Sequence, residues 1–204
     1  EKQAIGFYIS AHPLDIYKKS LEKQNVIQIS NVLSDPKYIG KVVKIAGVVD
    51  NFSERRAQKS GKPYGFLGLS DTFGNVEMLV FGDLINSVKA AIENGGPLMA
   101  SVSVDKKIDE DTPKLILRGT EPLDNITART GKNLEIDIID GSSLEKIKHL
   151  LTDHKGGKGK VIIISFLNGG MREVSIELPK NHKVTPILRN SIISFSGVTD
   201  AREV

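Results

Sequence analysis

At 204 residues the chain can hold one large domain or two of ordinary size, and its 39% apolar and 26% charged content suits a globular protein. The absence of cysteine excludes disulfides and thiolate metal sites; no signal-peptide pattern and no membrane-length apolar run is present, so a reducing cytoplasm is the expected location. A net charge of +3, from 28 basic and 25 acidic side chains, is too small to argue for a nucleic-acid partner, so local clustering must carry that argument.

The chain opens at Glu1, inside what reads as a helix, and is expected to be a segment of a longer protein. Residues 1–38 form a lead-in. Ile5, Tyr8 and Ile9 have helical spacing, and His12-Pro13 breaks it because a residue before proline avoids helical angles. Ile16, Leu21 and Val26 add a further apolar turn or two, too little to fold without neighbours.

Five strand-like runs then surround one helix. Val42 to Val49 is rich in β-branched residues, with Gly47 placed for a sharp bend. Residues 51–63 read as a loop carrying Arg55, Arg56, Lys59 and Lys62 against the single acid Glu54. The second run, Gly65-Phe66-Leu67-Gly68-Leu69, turns Leu67 and Leu69 inward and leaves Tyr64 and Phe66 outside. Asp71-Thr72-Phe73-Gly74-Asn75 is a tight turn with a glycine available for positive φ, and Val76, Met78 and Val80 alternate along the third run. Asp83 is placed to cap a helix with Leu84, Ile85, Val88 and Ile92, ended by Gly95-Gly96. Leu98, Ala100, Val102 and Val104 mark a fourth strand. Asp109-Glu110-Asp111 turns into a fifth with Leu115 and Leu117. Three strands, a helix and two strands is the order of the OB-fold Greek-key barrel.

Residues 121–132 read as a connector. Leu134, Ile136 and Ile138 alternate as a strand, and Ser142 with Glu145 forms a capping box for a helix carrying Leu144, Ile147 and Leu151. Residues 156–160, glycine-rich, read as a flexible linker before the strand from Val161 to Phe166. Gly169-Gly170 turns into Val174, Ile176 and Leu178. Thr185-Pro186 starts a short helix, and Ile192 to Val198 is read as the last strand. The fold expected is therefore mixed β and α/β: a helical lead-in (1–38), an OB barrel (39–124) and a small α/β domain of β-α-β-β-α-β order (130–204).

A basic loop beside an aromatic platform is how a small barrel holds single-stranded nucleic acid. The expected contacts are Arg55, Arg56, Lys59, Lys62, Tyr64 and Phe66, with Lys106 and Lys107 at the end of the fourth strand and Arg118 on the fifth. Arginine pairs with phosphate and also stacks on bases, while lysine supplies a point charge. Phe52, Phe73 and Phe81 are read as packing residues. Glu135 and Asp137 share a strand face at a spacing that two-metal chemistry could use, but a solvated face accounts for them equally well. His149, Asp153 and His154 gather at a helix end without a fourth ligand, and Gly159-Lys160 lacks the rest of a phosphate loop. No catalytic residue, metal site or cofactor is expected in this segment.

Two stretches resemble a known family. Ile5-Gly6-Phe7-Tyr8-Ile9-Ser10-Ala11-His12-Pro13-Leu14 is similar to the motif leading into the OB domain of bacterial replicative polymerase III alpha subunits, C-family DNA polymerases. Gly61-Lys62-Pro63-Tyr64-Gly65-Phe66-Leu67-Gly68-Leu69-Ser70-Asp71, with Gly74-Asn75-Val76-Glu77-Met78-Leu79-Val80-Phe81, resembles the core of that domain. The resemblance implies a non-catalytic C-terminal part of a DNA-directed DNA polymerase. Its barrel would meet single-stranded template, its last domain (130–204) would dock the clamp-loader tau subunit, and the rest of the polymerase chain would be a further partner, with no membrane involved. Phe66, Leu69 and Asp71 also resemble the anticodon-binding barrel of class II aminoacyl-tRNA synthetases, which implies an RNA-binding module instead. A protein-docking scaffold is the third alternative.

Overall fold

β-Branched residues at alternate positions draw the chain from Val42 into a strand of 15 residues that ends at Arg56 (β1). The computed structural model describes residues 12–106, 112–167 and 172–204, in two compact units, Glu1–Leu123 and Asp124–Val204. Ile5, Tyr8 and Ile9 of the lead-in, the acidic turn at 109–111 and the Gly169-Gly170 turn lie outside the described residues.

In the first unit β1 is shared by two neighbours. From Val42 to Gly47 it pairs antiparallel with β4 (Leu98–Asp105), and from Val48 to Arg56 with β2 (Pro63–Ser70). Gly47 stands at the switch, where a Cβ would lie 2.8 Å from the Ser70 carbonyl oxygen, so the close approach of the two backbones needs glycine there. β2 pairs with β3 (Asn75–Phe81), β3 runs parallel to β5 (Lys114–Pro122), and β5 returns antiparallel to β4. The result is a closed barrel of order β1-β2-β3-β5-β4, with a helix between β3 and β4: the OB fold.

Alternation fills the interior with Ile45, Leu67, Leu69, Met78, Val80, Val102 and Leu117, all 2% exposed or less. The short helices Lys18–Lys23 (α1) and Ile29–Ser34 (α2) belong to the lead-in, and α2 adds Ile29 and Val32 to the barrel core. Leu84–Glu93 (α3) contributes Ile85 and Val88.

Two local expectations change here. No side-chain hydrogen bond from Asp83 caps α3. The β2–β3 turn is held by the Asp71 carboxylate, which accepts from the Phe73 and Gly74 amides at 2.8 and 2.9 Å and from Ile29 N at 2.8 Å; Gly74 does not use positive φ.

In the second unit a short helix (Leu123–Ala128, α4) occupies the expected connector. β6 (Leu134–Ile138) and β8 (Val161–Leu167) run parallel, flanked by β10 (Val198–Glu203) and β9 (Arg172–Glu177) in the order β10-β6-β8-β9. Residues 192–197 close a helix rather than forming strand, and β10 starts only at Val198. Leu144–Asp153 (α5) and Pro186–Ile193 (α6) pack Ile147, Leu151, Leu188 and Ile192 onto Leu134, Ile136, Ile138 and Ile163. Thr185 Oγ1 accepts from Leu188 N at 3.1 Å with Pro186 in the first turn, the cap expected from sequence. Ser142 does not cap α5. Asp140 Oδ1 accepts from Ser142 N at 2.8 Å instead, and the hydrogen bonds to Ser142 hold the Asp140 carboxyl below its usual range.

The expected glycine linker is a short strand, Lys155–Gly159 (β7), bridged to His182 from Lys155 and from Gly159. A Cβ on Gly157 would sit 2.0 Å from the His182 carbonyl oxygen, and one on Gly159 2.0 Å from that of Lys132. These glycines serve backbone contact rather than flexibility.

Candidate nucleic-acid interface

The polar stretch from Asn51 to Arg56 is strand, not loop: its residues pair one by one with β2, ending at Arg55 opposite Tyr64 and Arg56 opposite Pro63. Only residues 57–62 turn. That turn is closed by Ala57 N donating to Lys62 O at 3.0 Å and Gly61 N to Ala57 O at 2.8 Å, with Gly61 at φ +66°. Lys59 and Lys62 project from it, exposed.

The alternation of β1 decides which cation faces the aromatics. Ser53 and Arg55 share the face of Phe66 and Tyr64, whereas Phe52, Glu54 and Arg56 lie on the other. Phe52 packs on the barrel core, as expected, over Gly65, where a Cβ would come within 2.8 Å of its Cε2. Glu54 accepts from Lys89 Nζ of α3 at 2.6 Å, and that bond holds the Glu54 carboxyl below its ordinary range. The one acid of this stretch is thereby turned toward the helix. Among the described residues none of Arg55, Arg56, Lys59 and Lys62 has a carboxylate within ion-pair distance.

On the aromatic face the Arg55 guanidinium carbon lies 5.3 Å from the Phe66 ring centroid, a cation–π contact. Tyr64 meets Phe66 edge-on, at 5.7 Å and 72° between ring planes. Both rings are half-buried. Phe81, opposite Tyr64 on β3, is 48% exposed and Leu79 stands opposite Phe66, so the apolar strip continues across a third strand. Phe81 and Phe73 (60% exposed) are therefore surface rings, not the packing residues expected. The inward alternation of Val76, Met78 and Val80 already assigns Phe81 to the outside.

The remaining expected contacts are more scattered. Arg118 is exposed on β5 and donates from Nε to Ser103 Oγ at 3.0 Å. Lys106 is exposed just past the end of β4, and Lys107 lies outside the described residues. Arg56 is on the ribbon's opposite face. The structure thus brings together Arg55, Tyr64 and Phe66, with Lys59 and Lys62 on the adjoining turn.

The acidic pair in the second unit has a different use. Arg202 of β10 donates from Nε to Glu135 at 2.9 Å and from Nη1 to Asp137 at 2.6 Å and Asp200 at 3.3 Å. The bond to Asp137 is the main reason the guanidinium pKa rises above its ordinary value. With a cation seated between them, Glu135 and Asp137 form an ion-pair cluster across the β6–β10 pairing. His154 Nδ1 is 2.9 Å from the Leu150 carbonyl oxygen, and His149 is exposed. Among the described residues no three His, Asp or Glu side chains gather as a metal site, and no helix is long and apolar enough to cross a membrane.

No family model matches the chain. It is 22% identical over its whole length to the DNA polymerase III subunit alpha of Caulobacter vibrioides, 25% identical over 90% of its length to that of Bacillus subtilis, and 24% over 77% to that of Escherichia coli. The chain is a relative of the bacterial DNA polymerase III alpha subunit. It spans only 18%, 16% and 14% of those three proteins' lengths.

Solved structures resemble it in part. An asparaginyl-tRNA synthetase from Pyrococcus horikoshii matches 48% of this chain and 22% of its own at 20% identity and TM-score 0.35. A mitochondrial single-stranded DNA binding protein from S. cerevisiae matches 41% of this chain and 95% of its own at 14% identity and TM-score 0.31. The OB assignment rests on the barrel's own strand order, not on overlaps of this size.

Proposed function

We propose that the chain is a non-catalytic C-terminal part of a replicative DNA polymerase alpha subunit. Its barrel holds single-stranded template, and residues 130–204 dock the clamp-loader tau subunit. The observation that carries the first half is the Arg55–Phe66–Tyr64 cluster on the outer face of β1 and β2. A base stacks on the ring surface of Phe66 or Tyr64, and such stacking tolerates every base because each has a π-face. Arg55, already ordered on Phe66, pairs with a flanking phosphate. Lys59 and Lys62 add backbone charge contacts from the adjoining turn, and Lys106, Lys107 and Arg118 are further cations of the barrel. Polymerisation belongs to the rest of the longer relatives' chain, and this segment needs no cofactor.

The test is fluorescence anisotropy of the full chain with a labelled single-stranded oligonucleotide, titrated across salt, with duplex DNA and a structured RNA as competitors. Single-stranded DNA is expected to bind best. Arg55→Ala/Lys59→Ala should shrink the slope of log affinity against log salt by about 1.4, from two lost phosphate contacts. A structured RNA that outcompetes the DNA would sink this reading in favour of an RNA-binding barrel.

A further inference from the structure

The second unit carries its helices on one side of its sheet, and they do not cover it all. Ile163 on β8 faces α5, and its cross-strand partner on β9 is Ile176, so both side chains stand on the helix side. Val174, opposite Ser165, stands there too. Ile163 is 7% exposed, but Ile176 is 54% and Val174 36% exposed. A layer that buries β6 and β8 thus stops short of β9, leaving branched apolar residues in water on an edge strand.

Beside this strip runs a groove of ≈ 480 Å³, walled by Leu144, Ile147 and Leu151 of α5 and floored by Ile163, with Leu178 on its far side. Leu144, at the α5 end of the groove, is 39% exposed. Three cations line it: Lys148, Lys155 and Lys180. Its one acid, Glu145, is ion-paired with Lys148 at 3.4 Å. The opposite face of β9 carries Glu173, Ser175 and Glu177, and the cation there, Lys160, is paired with Glu177 at 2.8 Å. His182, 5% exposed, also lines the groove, and its Nδ1 has no hydrogen-bond partner.

We propose that the groove between α5 and β9 receives an amphipathic helix of a partner protein, with an apolar stripe against Ile163 and Ile176 and acidic flanks toward Lys155 and Lys180. The apolar floor selects the stripe, and the cationic rim selects the flanks. This rests on the reading of residues 130–204 as a docking unit, and gives that unit a place and a partner chemistry.

The test uses the full chain with labelled isoleucine methyls. It is titrated with a synthetic helix bearing leucines at i, i+3, i+4 and i+7 and glutamates on its flanks. The methyls of Ile147, Ile163 and Ile176 are expected to shift while that of Ile45 in the barrel does not. Ile176→Asp, at an exposed position, should weaken binding about tenfold or more. Lys155→Glu/Lys180→Glu should weaken it about fivefold and flatten its salt dependence. Ser175→Asp, on the same strand but the other face, should change nothing. Unmoved methyls, or equal binding of a helix whose flanks are lysine, overturn the proposal. The tau subunit is titrated onto the same sample. Tau binding that leaves these methyls unmoved overturns the groove but not the docking unit, whereas tau that fails to bind while the helix does defeats the tau assignment alone.

Discussion

The outer face of the barrel and the solvent face of the second sheet carry similar side chains and use them in opposite ways. In the sheet, Arg202 is held by Glu135, Asp137 and Asp200, and Lys160 pairs with Glu177. These contacts join strands to one another. In the barrel, Arg55 rests on an aromatic ring, and the acid beside it is drawn away by Lys89. Counting cations does not separate a binding surface from an ion-paired one; what separates them is whether the fold itself supplies the counter-charge. An arginine ordered by a ring keeps its hydrogen-bond donors for something else.

The contrast can be sharpened first at two adjacent residues. Leu67 is fully buried and Phe66 half-buried on the other face of the same strand. Leu67→Ala should cost about 2–5 kcal/mol of stability in a denaturant titration. Phe66→Ala should leave most of that stability in place and weaken single-stranded DNA binding by about 1–3 kcal/mol in anisotropy. If Phe66→Ala unfolds the chain instead, the platform is a packing surface and the contrast fails.

Arg202→Met is the matching change in the sheet. It should lower the melting temperature, because Glu135 and Asp137 are left as neighbouring carboxylates without their shared cation. DNA binding should be untouched. A drop in DNA affinity would mean that this cluster, too, serves the ligand.

The smallest effect concerns His182, whose imidazole burial pushes below its ordinary value of 6.5, against a hydrogen bond to the Lys180 backbone. Because the unfolded chain takes up the proton first, the stabilisation is complete above about pH 6.5 and is lost as pH falls toward the folded value. Unfolding curves between about pH 7.5 and 5 should show that slope. His182→Gln should flatten it.

The barrel was legible because inward residues recur with period two and glycines and turns separate the runs. The extent of β1 was not. Asn51 to Arg56 has no apolar alternation, and it is strand because β2 offers a complete ladder of partners. The same distinction explains the glycines after Gly156. Chemistry that permits flexibility also permits backbones to touch, and only the position of His182 and Lys132 selects between them. The caps show competition: Asp140, two residues before Ser142, reaches the amide first. For the candidate site, residue types and parity named Arg55, Tyr64 and Phe66. That Arg56 faces away depends on a register set by the irregularity between Val49 and Asn51, which the sequence does not advertise.

Barrel closure has a mechanical consequence. β1, β2 and β4 are laced to their neighbours by long antiparallel registers, but β3 meets β5 through only Met78↔Leu115 and Leu79↔Ile116. A cylinder with one short seam breathes along that seam. The amides of Leu79 and Ile116 should therefore exchange with solvent before those of Leu67 or Val102. Because Leu79 lies directly across from Phe66, the flank most ready to yield adjoins the aromatic strip, and whatever rests on that strip rests on the most adjustable wall of the barrel.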